Sequence, residues 1–229
     1  MKILLLPGMD GTGLLFKPLL PLLRNPYIVF TFPTGSEHNY DSIYEHVKQH
    51  IPNEEFIVVA ESFSGPLAAR LIAENLDNLK GVVFVATFLS KPSPFLLKIA
   101  KNLPLKWALK LPFLSIFIRH FLLSNQFSIG LFNQALSQVS EEDLNARLRN
   151  MDNLSENVSV EKSNLPVLYL SADNDWLISK RHINDFSARY TNLVIHTLKG
   201  THFLSQSNPQ VCAQLINRFV DELQASKIN

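Results

Sequence analysis

Six short apolar runs, each of five or six residues, recur along this chain with helix-like segments after most of them, and that alternation constrains the fold more than any other feature. The runs are KILLL (residues 2–6), YIVFTF (27–32), FIVVA (56–60), GVVFVA (81–86), VLYLSA (167–172) and LVIHTL (193–198). They are rich in Val, Ile, Leu, Phe and Tyr and apolar on both faces, which is how strands of a parallel sheet covered on both sides read. Helical spacing marks residues 41–50, 63–75, 180–190 and 209–224, the last with Val211, Leu215, Ile216, Phe219, Val220 and Leu223 on one stripe. Strand alternating with helix predicts an α/β protein with a mostly parallel, doubly wound sheet, whose binding crevice lies at the carboxyl ends of the strands.

One interval breaks the rhythm. Residues 89–164 hold no convincing strand, only helix-like segments rich in Leu, Phe and Lys, so we read a helical lid inserted into a core made of residues 1–88 and 165–229. Pro92, Pro94, Pro104 and Pro112 punctuate its first half, and Ser140 with a glutamate two positions on reads as a capped helix start. Its most apolar part, LKLPFLSIFIRHFLL (109–123), admits three readings: a face packed on the core, the roof of an apolar pocket, or, less favoured, a basic and apolar surface against a membrane.

Composition narrows the function classes. Apolar residues make up 46% of the 229 and charged ones 18%, enough for a large core and against disorder. The formal charge is +1 without blocks of like charge, which argues against a nucleic-acid partner. Cys212 is the single cysteine, so no intrachain disulfide forms and no zinc-binding spacing exists, as expected in a reducing cytoplasm. The apolar run before Pro7 is too short for a signal peptide, and charges and prolines interrupt residues 92–123 too often for a spanning helix.

The stretch FIVVAESFSGPLAARLIA (56–73) passes from strand to helix through a cluster of small and polar residues, with Ser62 at the corner. A sharp strand-to-helix turn lifts a serine clear of the sheet and tolerates only small residues two positions either side, the logic of GxSxG. Those positions are Ala60 and Ser64, with Gly65 next and Pro66 where a missing N–H costs little. Locally, an N-cap serine at an ordinary helix start is the alternative.

A serine nucleophile needs a base, and the base an orienting carboxylate. DNDWLIS follows the fifth run and KGTHFLSQSNP the sixth, so both sets of polar residues leave strands on the same rim as Ser62. His202 is the candidate base; His196 lies inside a strand as a sheet or core residue, His38, His46, His50 and His182 read as surface positions, and His120 sits in the insertion. Asp175 and Asp173 compete as the acid, with Asp175 favoured because Trp176, Leu177 and Ile178 come after it; a mere turn cluster is the other reading.

The loop LLLPGMDGTG (4–13) carries three glycines that let backbone approach a substrate, and offers the Met9 N–H as one oxyanion donor, with the Phe63 N–H as the other. It lacks the GK[ST] ending of a phosphate loop and does not fit GxGxxG, and Asp10, Glu61, His202 and Asp175 have no metal-ligand spacing. We therefore expect no nucleotide, cofactor or metal.

Taken in order, LPGMDGTG, VVAESFSG, SADNDWLIS and GTHFLSQSNP resemble the α/β-hydrolase superfamily across essentially the whole chain, most nearly small bacterial lidded serine esterases, including the type that demethylates the pimeloyl-carrier-protein ester. LPGMDGTG is also similar to lipase and acyltransferase relatives acting on long acyl chains. The resemblance implies Ser62, His202 and Asp175 as catalytic triad, Met9 and Phe63 as oxyanion donors, and about six strands, the chain starting at the superfamily's third. It departs at Pro7-Gly8, where histidine-glycine is usual, and at Ala60 and Ser64, where glycines are. The function it implies is a serine hydrolase of a small-molecule or carrier-linked acyl ester or thioester. The rivals are an acyltransferase, a cofactor-free lyase or haloperoxidase-like enzyme, and a non-catalytic binding relative.

Overall fold

The computed structural model describes residues 1–35, 39–92, 129–155 and 162–226. Six parallel strands form one sheet: β1 (Lys2–Leu6), β2 (Tyr27–Val29), β3 (Phe56–Glu61), β4 (Leu79–Val85), β5 (Val167–Ala172) and β6 (Leu193–Leu198). Their order across the sheet is β2-β1-β3-β4-β5-β6. The winding direction reverses at β1, so the loops leaving β1 and β3 diverge and open a crevice between them.

Period-two alternation assigns the strand residues to two cores. Leu4, Leu6, Val58, Ala60, Phe84 and Tyr169 face one side, against α1 (Tyr40–Lys48), α2 (Gly65–Ala73) and α5 (Lys180–Arg189). Ile3, Leu5, Ile57, Val59, Val83 and Leu170 face the other, against the short α6 (Leu204–Ser207) and the long α7 (Pro209–Ala225), which contributes Cys212, Ala213, Ile216, Phe219 and Val220. Each fully buried Leu, Ile, Val or Phe stabilises by about 1.5–3 kcal/mol, which is why the inner strands carry almost no polar residues.

The sheet edges differ from the expectation of strands covered on both faces. On β6, Val194 and Ile195 are 50% and 40% exposed, and on β2 Tyr27 is 44% exposed, because each of these strands has a neighbour on one side only. β2 also stops at Val29 rather than at residue 32: Phe30 N still donates to Leu5 O at 2.9 Å, but Phe32 N turns to Gly11 O at 2.8 Å. The two phenylalanines leave the sheet and join the core on the side of α1 and α2, with Phe32 against Gly11 of the loop after β1.

Between β4 and β5 the described residues form α3 (Ile129–Ser137) and α4 (Glu141–Asp152). α4 starts with a reciprocal cap: Ser140 Oγ accepts from Asp143 N at 2.9 Å, and Asp143 Oδ2 accepts from Ser140 N at 3.4 Å. The partner is Asp143 and not a glutamate, since the third helical position is the one that reaches back to the cap. Leu148 and Met151 of α4 join the core on the side of α1 and α2. LKLPFLSIFIRHFLL lies outside the described residues, among which no helix is long and apolar enough to cross a membrane.

Candidate active site

β3 ends at Glu61, and the next residue, Ser62, takes φ 49, a left-handed conformation that a non-glycine residue adopts only under constraint. Several bonds supply that constraint. Thr87 Oγ1 donates to Ser62 O, Tyr169 OH to Thr87 O at 2.8 Å, and Tyr40 OH to Phe63 O at 3.1 Å, with the Tyr40 and Phe63 rings stacked 4.6 Å apart. A single 3-10 turn, Ser62–Ser64, then leads into α2. The small residues are required here: a Cβ on Gly65 would lie 2.2 Å from Thr87 Oγ1 and 2.4 Å from Phe88 O. Ser64 Oγ donates to Pro7 O at 2.5 Å, tying the elbow to the loop after β1.

His202 stands over Ser62. Its Nε2 is 2.8 Å from Ser62 Oγ and its Nδ1 is 2.9 Å from Asp175 Oδ2. With the proton on Nδ1, the imidazole donates to Asp175 and its Nε2 accepts from the serine hydroxyl. Asp175 is held in turn, because its Oδ1 accepts from Leu177 N at 2.8 Å and Ile178 N at 3.0 Å. Asp173 points elsewhere: its Oδ1 accepts from Gly200 N at 2.9 Å, steadying the loop before His202 where Gly200 has φ 145. Burial alone would lower the His202 pKa, but the charge and hydrogen bond of Asp175 and the charge of Glu61 outweigh it, leaving it above the usual imidazole value.

The loop after β1 closes the other side. A Cβ on Gly8 would lie 3.7 Å from Ser62 Cβ, so the loop passes close to Ser62 at Gly8. A turn bond from Gly11 N to Gly8 O, 3.0 Å, fixes the loop, and the Met9 and Phe63 N–H groups donate to no acceptor among the described residues. Arg147 of α4, 2% exposed, donates from Nη1 to Met9 O at 2.9 Å and to Asp10 O at 2.7 Å, with its guanidinium 5.0 Å from the Phe32 ring centre.

No protein-family model matches the sequence, and no curated protein matches it. Solved structures do match. A bromoperoxidase from Bacillus anthracis aligns with TM-score 0.80 at 18% identity, over 96% of this chain and 91% of the other. A lipase-esterase related protein from Clostridium acetobutylicum ATCC 824 aligns with TM-score 0.77 at 15% identity, over 95% and 93% of the two chains. MenH from S. aureus aligns with TM-score 0.70 at 13% identity, over 98% and 94%. The fold is that of the α/β-hydrolase superfamily.

Within this α/β-hydrolase fold, the sequence pointed to Ser62, to His202 and, in preference to Asp173, to Asp175, and the structure brings the three into one hydrogen-bonded line. The remaining histidines partly contradict the sequence reading. His196 is a sheet residue, in β6, but exposed and not in the core, because β6 is an edge strand. His182 is buried, not solvated: Nδ1 pairs with Ser179 N at 3.1 Å and Nε2 with Lys91 O at 3.1 Å. His38 and His120 lie outside the described residues.

Arg147 and Gln206 carry no signal of burial in the sequence, since each sits among charged or polar neighbours and only the fold buries it; for Glu61 the one available hint was a charged residue directly before Ser62 at the end of an apolar run. Asp10 is buried too, its Oδ2 accepting from Thr12 N at 3.0 Å and Thr12 Oγ1 at 2.5 Å, and burial raises its pKa.

Proposed function

We propose that this protein is a serine hydrolase cleaving a carboxylic ester or thioester with an apolar acyl group, through an acyl-enzyme on Ser62. The observation that carries the reading is the unbroken line from Ser62 Oγ through the His202 imidazole to the Asp175 carboxylate, at 2.8 and 2.9 Å. Attack of Ser62 Oγ on the acyl carbon sends the hydroxyl proton to His202 Nε2, and Asp175 holds the tautomer and stabilises the imidazolium. Met9 and Phe63 N–H receive the oxyanion, where one such donor is worth roughly 3 kcal/mol of barrier. The imidazolium then protonates the leaving alkoxide or thiolate, and the same imidazole activates the water that cleaves the acyl-enzyme.

The acyl preference rests on what surrounds the triad. Leu14, Leu15, Ile129, Leu131, Phe132 and Phe203 form one apolar cluster, and the Phe203 ring lies 5.5 Å from His202 and 5.6 Å from Phe132 of α3. In this reading α3 and α4 belong to a cap over the crevice, and an alkyl chain lies beneath α3. The cap is part of the proposal, as is a carrier-linked substrate in a reducing cytoplasm.

Intact mass after treatment with a fluorophosphonate, on the wild type and on Ser62→Ala, tests it. A single adduct on the wild type that the variant loses is expected. A folded wild type that takes no adduct and hydrolyses no ester from short to long acyl chains would overturn the reading.

A further inference from the structure

Directly before the nucleophile stands a carboxylate that the proposed mechanism leaves without a task. Glu61 is 3% exposed, at the end of β3, where strands of this kind carry apolar side chains. Its donor is Gln206 of α6, whose Nε2 lies 3.0 Å from Oε1 and 3.1 Å from Oε2. Gln206 comes four residues after His202, so this contact joins the strand that carries the nucleophile to the segment that carries the base. The charges of Asp10, in the loop after β1, and of His202, in the loop after β6, act on the Glu61 carboxylate, as does the Ser205 hydroxyl of α6, and the Glu61 charge acts in turn on Cys212 of α7.

We propose that Glu61 is a positioning residue acting through His202: its buried carboxylate is a second anion that, with Asp175, stabilises the imidazolium formed when Ser62 loses its proton. This deepens the serine-hydrolase reading and rests on it. Geometry favours Glu61 over Asp10 as the group that changes charge in the working range. Asp10 has both donors of Thr12 on one oxygen and the Arg147 charge nearby, whereas Glu61 has one amide nitrogen shared between two oxygens. Burial pushes the Glu61 pKa up to about 7, with Asp10 adding and Gln206, His202 and the Ser205 hydroxyl opposing. The influence runs in both directions, since the Glu61 charge is among the causes that raise His202.

Coupling of this kind has a signature that a structural role lacks. Above the Glu61 pKa the carboxylate is charged and assists His202; below it the carboxylate is neutral and a glutamine does as well. The test is the second-order rate constant for phosphonylation of Ser62 by a fluorophosphonate from about pH 5.5 to about pH 9, for the wild type and Glu61→Gln, with the His202 ring titrated by NMR in both. We expect a wild-type-to-variant ratio near one at the acid end, rising to about tenfold at the alkaline end, and a His202 midpoint lower by about one unit in the variant. Gln206→Leu keeps the carboxylate but removes its donor, so it should match Glu61→Gln at about pH 7.5 and recover towards wild type by about pH 9; it carries the test if Glu61→Gln fails to fold. A ratio independent of pH, or superimposable profiles with an unmoved His202 midpoint, overturns the proposal. A wild type inert to the phosphonate fells the hydrolase reading instead, while the imidazole titration still decides whether Glu61 and His202 are coupled.

Discussion

Ser62 holds φ 49 because Thr87, Tyr40 and a close-packed Gly65 leave the turn no other path, and the same turn aims Oγ at His202. The two aspartates of DNDWLIS divide their work at this scale. Asp175 bonds the imidazole and Asp173 bonds the Gly200 N–H, so Asp175→Asn should lower the phosphonylation rate by about 10⁴-fold through the wrong tautomer. Asp173→Asn keeps an acceptor for Gly200 and should change that rate by less than about threefold. Equal losses in the two variants would contradict this division. The elbow was legible in the sequence because small residues at Ala60, Ser64 and Gly65 around a serine have few other uses after a buried strand. The choice between the aspartates was less so: two residues apart, both leave β5 on the same rim, and only the loop's backbone N–H groups at Leu177 and Ile178 decide which carboxylate turns inward.

At the scale of elements, α4 is the piece whose task the sequence conceals. SEEDLNARLRNM reads as a capped helix start in the insertion, yet it presents Arg147 to the carbonyls of Met9 and Asp10 and so fixes the loop that carries the proposed oxyanion donor Met9. Arg147→Met keeps the bulk and removes both bonds. We expect phosphonylation to slow about 10²-fold, the consequence of a misplacement of roughly 1 Å. Thermal melting should also show destabilisation of roughly 1–3 kcal/mol from two carbonyls left without their donor. A rate within about threefold of wild type would show that the loop holds itself through Ser64 and the Gly11 turn. Strand ends belong to this scale as well: YIVFTF has the composition of one continuous strand, but Phe32 N finds Gly11 O before it finds the sheet, so β2 is cut short by a contact between segments about 20 residues apart.

At the scale of the whole molecule, Glu61 and His202 are among the described buried groups whose folded pKa values are raised, as is Asp10. Between the usual carboxylate value, 4.5, and about 7, the folded state binds a proton at Glu61 that the unfolded chain has released, so stability falls as pH rises through that window. His202 acts in the same direction: its contribution is complete below the ordinary imidazole pKa and is lost as pH rises through the higher folded value. For Glu61 the shift corresponds to roughly 3 kcal/mol, and Glu61→Gln should therefore gain stability over wild type progressively from about pH 5 to about pH 8, by several degrees in Tm. A difference in Tm that does not change with pH would show that the Glu61 carboxylate stays charged throughout. Taken by itself, the sequence determined the layered α/β architecture and the order of its strands along the chain. It also determined which serine, histidine and loop aspartates leave strands on the same rim, because continuous apolar runs, turn residues and chain order are local properties that survive in a string of letters. Only the tertiary structure decided which polar residues are buried together, among them Glu61 with Gln206, Arg147 with the loop after β1, and His182 in place of His196. Burial of a charged side chain depends on what distant segments pack over it, and no local pattern records that.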